Sequence, residues 1–203
     1  MSKKTNQIRN LTMMALFIAI EVVLLVTPFG YLRIGPLSAT LMHVPVIVCA
    51  CLMSTKHGVF LGLVFGITSV INATMAPNIT SFCFSPFVEV AGFHGGFQSL
   101  LIAIVPRVLL GLIAGLSFQF FLKKMNKKAW SACLAAGLAT FCHTIMVLGL
   151  IILFYGAQYA VAVGVAQSAL IGFMAMVLLT NMLPEIVVAI LVNVSLVKAI
   201  KWN

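Results

Sequence analysis

The stretch QSLLIAIVPRVLLGLIAGLSFQFFLKK, residues 98–124, decides the class of fold. From Ser99 to Leu122 it carries a single charge, Arg107, and it then runs into Lys123, Lys124, Lys127 and Lys128. About 20 consecutive apolar residues suffice to cross the hydrocarbon core of a bilayer as a helix, and a basic cluster at one end marks the cytoplasmic side. The rest of the chain has the same character. Of 203 residues, 63% are hydrophobic and 7% charged, against about 25% charged in soluble domains; mean hydropathy is +1.19. The sequence reads as an all-α integral membrane protein.

Outward from this run, punctuation by Pro, Gly and charge predicts a six-transmembrane-helix bundle with two long outer loops. The spans fall at approximately 11–28, 37–54, 58–75, 98–122, 130–155 and 176–198, in a single transmembrane domain covering 1–203. The first ends at Thr27-Pro28-Phe29-Gly30, the second at Lys56-His57 and the third before Ala76-Pro77-Asn78, all helix-breaking or charged boundaries. Six spans put both termini on one side. With the N-terminus cytoplasmic, the inner segments collect Lys3, Lys4, Arg9, Lys56, Lys123, Lys124, Lys127, Lys128, Lys198 and Lys201, while the outer ones hold only Arg33. That asymmetry follows the positive-inside rule, and Trp130 and Trp202 sit beside the basic clusters, where indoles favour the interface. A multi-pass membrane protein is expected, without a cleavable signal peptide, because the first apolar run lacks a small-residue cleavage site and further spans follow.

The net charge of +9 does not indicate nucleic acid, since the basic residues flank membrane spans instead of forming a folded basic surface. Cys49, Cys51, Cys83, Cys133 and Cys142 have no paired spacing, so neither a disulfide framework nor a zinc site is implied. With Glu21, Glu89 and Glu185 as the only acids, a two-metal enzyme is excluded. The G-x-x-x-x-G-K-[ST] phosphate loop, H-E-x-x-H and G-x-S-x-G are missing. Inverted repeats with matching broken helices are not visible between the halves.

Two connections stand out. Residues 76–97 are rich in Phe, Gly and Pro and read as a folded lid. Residues 156–175 are small and apolar and read as a second outer cap, with a seventh span as the competing assignment. Small residues recur one turn apart at Ala15 and Ala19, at Gly58, Gly62 and Gly66, and at Gly111 and Gly115; such spacing permits close helix approach in lipid. For the glycines the plain reading is packing within the bundle. Ala15 and Ala19 lie toward the cytoplasmic end of the first span, where they can equally meet another protein.

Polar groups at membrane depth are costly and face a cavity, a partner or the bundle interior. His43, Asn72, Arg107, His143, Asn181 and Glu185 form this set, with Thr40, Thr68, Ser69 and Gln98 as weaker members. Their convergence from five spans predicts a polar pocket open to the outside under the two loops. The competing structural account is an Arg107–Glu185 or Arg107–Glu21 ion pair, and for His43 simple packing with a backbone hydrogen bond.

Taken in order, Ala15-x-x-x-Ala19, Thr27-Pro28-Phe29-Gly30-Tyr31, Ile34-Gly35-Pro36, Thr40-Leu41-Met42-His43-Val44-Pro45, Gly62-Leu63-Val64-Phe65-Gly66, Phe84-Ser85-Pro86, Pro106-Arg107 with Gly111, and Leu183-Pro184-Glu185 form a pattern over nearly the whole chain. The pattern resembles the substrate-binding S component of energy-coupling factor (ECF) vitamin transporters, in the subgroup that shares one ATP-driven module. The resemblance implies a subunit, not an enzyme, that captures a vitamin or precursor at its outer face. It implies docking through Ala15 and Ala19 on a transmembrane scaffold (T) subunit bound to two ATPase subunits, and toppling in the membrane to release the ligand inward. ATP is then used by the partners, and this chain carries no cofactor or metal.

Among such components the chain is most similar to the pantothenate type. Arg107 with His143 would neutralise a carboxylate, while Asn72 and Asn181 bond amide and hydroxyl groups. Hydroxymethylpyrimidine, pyridoxine, folate and nicotinate are the alternatives, for which Phe82, Phe84, Phe87 and Tyr155 offer stacking surfaces. One departure concerns the fifth span, where Cys142-His143-Thr144 stands in place of a T-N-T-like stretch. Further readings are a self-sufficient carrier or channel, and an intramembrane enzyme with His143 or Cys83 as its reactive group.

Overall fold

In the computed structural model, which describes residues 3–28, 30–32 and 39–200, six helices follow one another: α1 (Lys3–Val26), α2 (His43–Leu52), α3 (Thr55–Met75), α4 (Phe97–Met125), α5 (Lys128–Ala162) and α6 (Leu170–Ala199). Five are long and apolar enough to cross a membrane. The exception is α2. The span expected over 37–54 is helical only from His43 to Leu52, about 15 Å at the helical rise of 1.5 Å per residue, half the hydrocarbon thickness.

Local chemistry explains the late start. β1 (Tyr31–Leu32) pairs antiparallel with β2 (Ala39–Thr40), placing Tyr31 opposite Thr40. The Thr40 amide donates to Glu185 Oε1 at 2.8 Å, and its hydroxyl donates to the Gly30 carbonyl at 2.9 Å and accepts from the Met42 amide at 3.1 Å. With these groups committed elsewhere the helix begins only at His43. Pro45 follows in the first turn, where a missing N–H costs nothing. Leu37 and Ser38 at the expected start of this span lie outside the described residues, as do Phe29, Arg33, Ile34-Gly35-Pro36, Lys201 and Trp202.

The expected second cap over 156–175 is corrected. α5 continues through Gly156 to Ala162, with a break in helical geometry at Tyr155 (φ −131°, ψ 17°), and α6 begins at Leu170 after a 3-10 turn at Gln167–Ala169. Neither a long loop nor a separate seventh helix forms there. The small residues of this stretch are compatible with helix until Gly164, whose φ of +71° ends it. The Val165 amide then donates back to the Ala160 carbonyl, the 6→1 closure of a glycine-terminated helix. The connection over 76–96 carries a 3-10 turn (Ser81–Cys83) and a hairpin of β3 (Glu89–Val90) with β4 (Phe93–His94). Its turn residues Ala91 and Gly92 both have positive φ, as a two-residue type I′ turn requires.

The glycine rows pack within the bundle. α3 and α4 run antiparallel, with Gly58 against Gly111, Gly62 against the Arg107 carbonyl, and Gly66 against Ala103 and Ile104. A Cβ at Gly62 would strike the Arg107 backbone. We expect Gly62→Ala to destabilise the protein by about 1–3 kcal/mol, the usual cost of overpacking. Gly149→Ala, where a Cβ meets nothing within 4 Å, is the matched control, read by thermal unfolding in detergent.

Contacts also fix the remaining directions. Asn193 of α6 bonds the Ala132 carbonyl at the start of α5 and Cys51 near the end of α2, while Glu185 bonds Thr40. α2 therefore runs parallel to α6 and covers only its second half. Met14 and Phe17 of α1 join α2 in one apolar cluster with Phe65, Leu110, Ala139 and Ala189. A second cluster holds Phe82, Ile102, Ile151, Tyr155 and Tyr159. The space that a full-length second span would occupy separates them.

Candidate ligand cavity

That space is a cavity, about 780 Å³ of empty volume when the open solvent at its mouth is included. Its walls come from the last turns of α3 (Ser69, Asn72, Ala73), from Arg107 on α4, from His143, Thr144, Val147 and Leu148 on α5, and from Val177, Asn181 and Glu185 on α6. Tyr31 and Thr40 enter from the paired strands, and Asn78, Thr80, Ser81 and Phe84 from the 76–96 connection.

Arg107 is buried, and its position follows from the sequence around it. Pro106 lies inside α4 and has no amide hydrogen, so the carbonyl one turn back, that of Ile102, loses its helical donor. Arg107 Nη1 donates to that oxygen at 2.7 Å. The guanidinium carbon sits 5.4 Å from the centroid of Phe65 and 5.3 Å from that of Phe84, within cation–π range of both rings. Neither ion pair considered from the sequence forms: the ion pair seen among the described residues is Glu89–His94, at 3.4 Å on the exposed hairpin. Glu185 instead receives the Thr40 amide, and Glu21 is fully buried on α1 without a hydrogen-bond partner, away from the cavity lining.

His143 stacks on His43 with ring centroids 6.5 Å apart and lies 6.1 Å from Phe65. Both of its nitrogens are buried and unpartnered. His43 is held behind it, with Nδ1 at 2.6 Å from the Thr40 carbonyl, and does not line the cavity. Opposite, the Tyr31 hydroxyl pairs with Ser69 Oγ at 3.1 Å. Burial raises the Tyr31 pKa above its ordinary value, against the lowering effects of Ser69 and Arg107, so the phenol stays neutral.

The mouth is shaped by local hydrogen bonds. Asn78 Oδ1 accepts from the Thr80 amide, the Thr80 hydroxyl and the Ser81 hydroxyl, and the Asn78 amide donates to Ser81 Oγ, an Asx-type turn. Behind it, the Tyr155 hydroxyl bonds the Gly96 amide at 2.9 Å and Ser99 Oγ at 2.8 Å, and Ser99 donates to the Phe82 carbonyl at 2.6 Å. The break at Tyr155 thus ties α5 to the start of α4 and to the connection.

The structure brings together Asn72, Phe84, Arg107, His143, Asn181 and Glu185 of the residues expected from the sequence, together with Thr40 and Ser69. It leaves His43 behind the wall, Thr68 bonded to the Phe65 carbonyl and Gln98 exposed at the start of α4. Of the expected stacking aromatics only Phe84 lines the cavity. Phe82 packs on Phe93 and edge-on to Tyr155, and Phe87 is exposed. Tyr31, Asn78, Thr80 and Ser81 were not anticipated; the Pro77-Asn78-x-Thr-Ser turn chemistry was the available signal for the last three. Ala15 and Ala19 lie on the exposed side of α1, which packs mainly on α2 and α3 through its other face.

A cavity lined by polar and apolar side chains and embedded in a bundle of membrane-length helices defines a multi-pass membrane protein built around a small-molecule site. The chain belongs to the family described as ECF transporter, substrate-specific component, whose model matches residues 9–197. It is similar to the pantothenic acid transporter PanT of Lactococcus lactis subsp. cremoris, with 32% identity over 200 residues covering 97% of this chain and 96% of that protein. It is also similar to the pantothenate transporter PanT of Leuconostoc mesenteroides subsp. mesenteroides, with 24% identity over 195 residues covering 92% and 89%.

Proposed function

We propose that this chain is the pantothenate-binding subunit of an ATP-driven ECF importer. The observation that carries the assignment is Arg107, a cavity-lining guanidinium held by a carbonyl and two ring faces and without an ion-paired carboxylate among the described residues. Pantothenate offers a carboxylate, an amide, two hydroxyls and a geminal dimethyl group. The carboxylate goes to Arg107 with His143, the amide and hydroxyls to Asn72, Asn181 and Glu185, and the methyl groups to Val147, Leu148 and Val177; Phe84 covers the guanidinium and His43 supports the His143 ring. The full-length relatives named for pantothenate support the same substrate.

In this reading residues 1–203 form one transmembrane domain in a prokaryotic cell membrane. The basic segments and both termini are cytoplasmic, and the cavity opens outward under the 76–96 connection. α1 docks through Ala15 and Ala19 on a T subunit, and two ATPase subunits hydrolyse ATP. The chain is not an enzyme and holds no cofactor. Cys83, one candidate nucleophile, is fully buried, and burial raises its thiol pKa, whereas a reactive cysteine needs an accessible thiolate.

Mass spectrometry of small molecules released on denaturing the freshly purified protein tests the assignment. Pantothenate in stoichiometric amount is expected. Another vitamin would replace pantothenate as the substrate, and an empty protein that also fails to bind added pantothenate would overturn the assignment.

A further inference from the structure

Mid-helix prolines are usually assigned to kinks. At Pro106 the hydrogen-bond accounting shows a more specific consequence. Ile102 is fully buried, so its carbonyl must find a donor inside the protein. In an uninterrupted helix that donor is the amide of residue 106. Here it is Arg107 Nη1, at 2.7 Å, from the residue that follows the proline. Gly62 of α3 meanwhile packs directly on the Arg107 backbone carbonyl. The side chain and backbone of one cavity residue are thus each held by a neighbour's missing group: an N–H at 106 and a Cβ at 62.

We propose that Pro106 is a positioning residue for charge selectivity: by leaving the Ile102 carbonyl without a helical donor, it holds the Arg107 guanidinium at the cavity and makes the site select an anionic ligand over its neutral counterpart. The inference rests on the pantothenate assignment and deepens it. Pro106 does not line the cavity and touches no ligand in this account; it acts through Arg107. Restoring an N–H at 106 supplies the Ile102 carbonyl with its ordinary helical donor. It also removes the ring that crowds that carbonyl, so the helical turn from Ile102 to residue 106 can close. The guanidinium is then released to other rotamers.

The test uses the full-length protein in detergent or nanodiscs, with titrations of pantothenate and of pantothenyl alcohol, which has a hydroxymethyl group in place of the carboxylate. Three proteins are compared: wild type, Pro106→Ala, and a protein carrying the α-hydroxy counterpart of alanine at 106. The last forms a backbone ester that lacks the N–H, as proline does, but has no ring.

Wild type is expected to prefer pantothenate. Pro106→Ala should weaken pantothenate binding about tenfold, the scale of one charge-assisted hydrogen bond, while affinity for the alcohol stays within about twofold and the preference nearly disappears. The ester variant should recover it. A Pro106→Ala protein that keeps its preference overturns the inference. So does equal loss of both ligands, which marks a structural role, and so does an ester variant that behaves like alanine, which assigns the effect to the ring. Wild type that binds both compounds equally overturns the carboxylate role of Arg107, and the inference with it; wild type that binds neither overturns the pantothenate assignment itself.

Discussion

Ala15→Trp combined with Ala19→Trp is expected to abolish uptake while leaving pantothenate affinity unchanged. Both alanines are exposed and lie one turn apart on α1. Their neighbours Leu11, Leu16, Val22 and Val23 are exposed too, so the chain itself leaves this face uncovered. Removing side-chain bulk at four-residue spacing lets a second helix approach closely, and in lipid such van der Waals contact, not hydrophobic burial, drives association. Two indoles would hold the partner helix away. They point away from the cluster that Met14 and Phe17 build with α2 and far from the cavity lining, so binding has no reason to change. The measurements are vitamin uptake with the full importer, co-purification of the scaffold, and titration on the isolated subunit. Lost binding in the isolated subunit would refute the docking role.

Arg107→Ala is expected to weaken pantothenate binding by about 1.5–3 kcal/mol, the range for hydrogen bonds to charged groups, which is roughly ten- to a hundredfold in affinity. The loss has two physical parts. The ligand carboxylate would lose a buried cation, and the Ile102 carbonyl would lose its side-chain donor. Calorimetric titration with pantothenate reads the first, and thermal unfolding of the empty protein reads the second. Arg107→Lys should recover only part of the affinity, because an ammonium keeps the charge without the planar fork that spans carbonyl and carboxylate together. Unchanged affinity in folded Arg107→Ala would make Arg107 a structural residue and send the search for the carboxylate partner to His143.

The two predictions depend differently on what could be read in advance. Ala15 and Ala19 were legible as a small face because helix periodicity alone places them together, and the structure adds that this face is unpartnered within the chain. Asn181 and Glu185 were legible for the same reason, as one face of α6. Arg107 was legible as an unusual charge at membrane depth, but its partners were not. Charge complementarity pointed to Glu21 or Glu185, whereas the structure supplies a backbone oxygen exposed by the preceding proline. His43 and His143 were both legible as polar residues within spans; which one reaches the cavity depends on the helix rotation that puts His43 behind Thr40.

The errors share an origin. Hydropathy reports which residues prefer lipid to water, but it does not report whether an apolar stretch has its amides free for a helix. Residues 39–42 read as part of a span, yet Thr40 spends its amide and hydroxyl on Glu185, Gly30 and Met42. Residues 156–162 read as a cap, yet they continue α5 until Gly164. Tyr31, from a connection between helices, reaches the cavity only because β1 and β2 pair.

By itself the sequence determined the solvent, the close-packing rows and which polar residues had to be accommodated inside. These follow from composition and period, which act locally. Only the tertiary structure decided that the second helix stops half-way and leaves a cavity above it. Only there does it emerge that a hydrogen bond across 145 residues of sequence, Thr40 to Glu185, helps to set that stop, and that Pro106 passes its missing donor to Arg107. A donor's choice among acceptors depends on what else is within 3 Å, and that is a property of the packed chain.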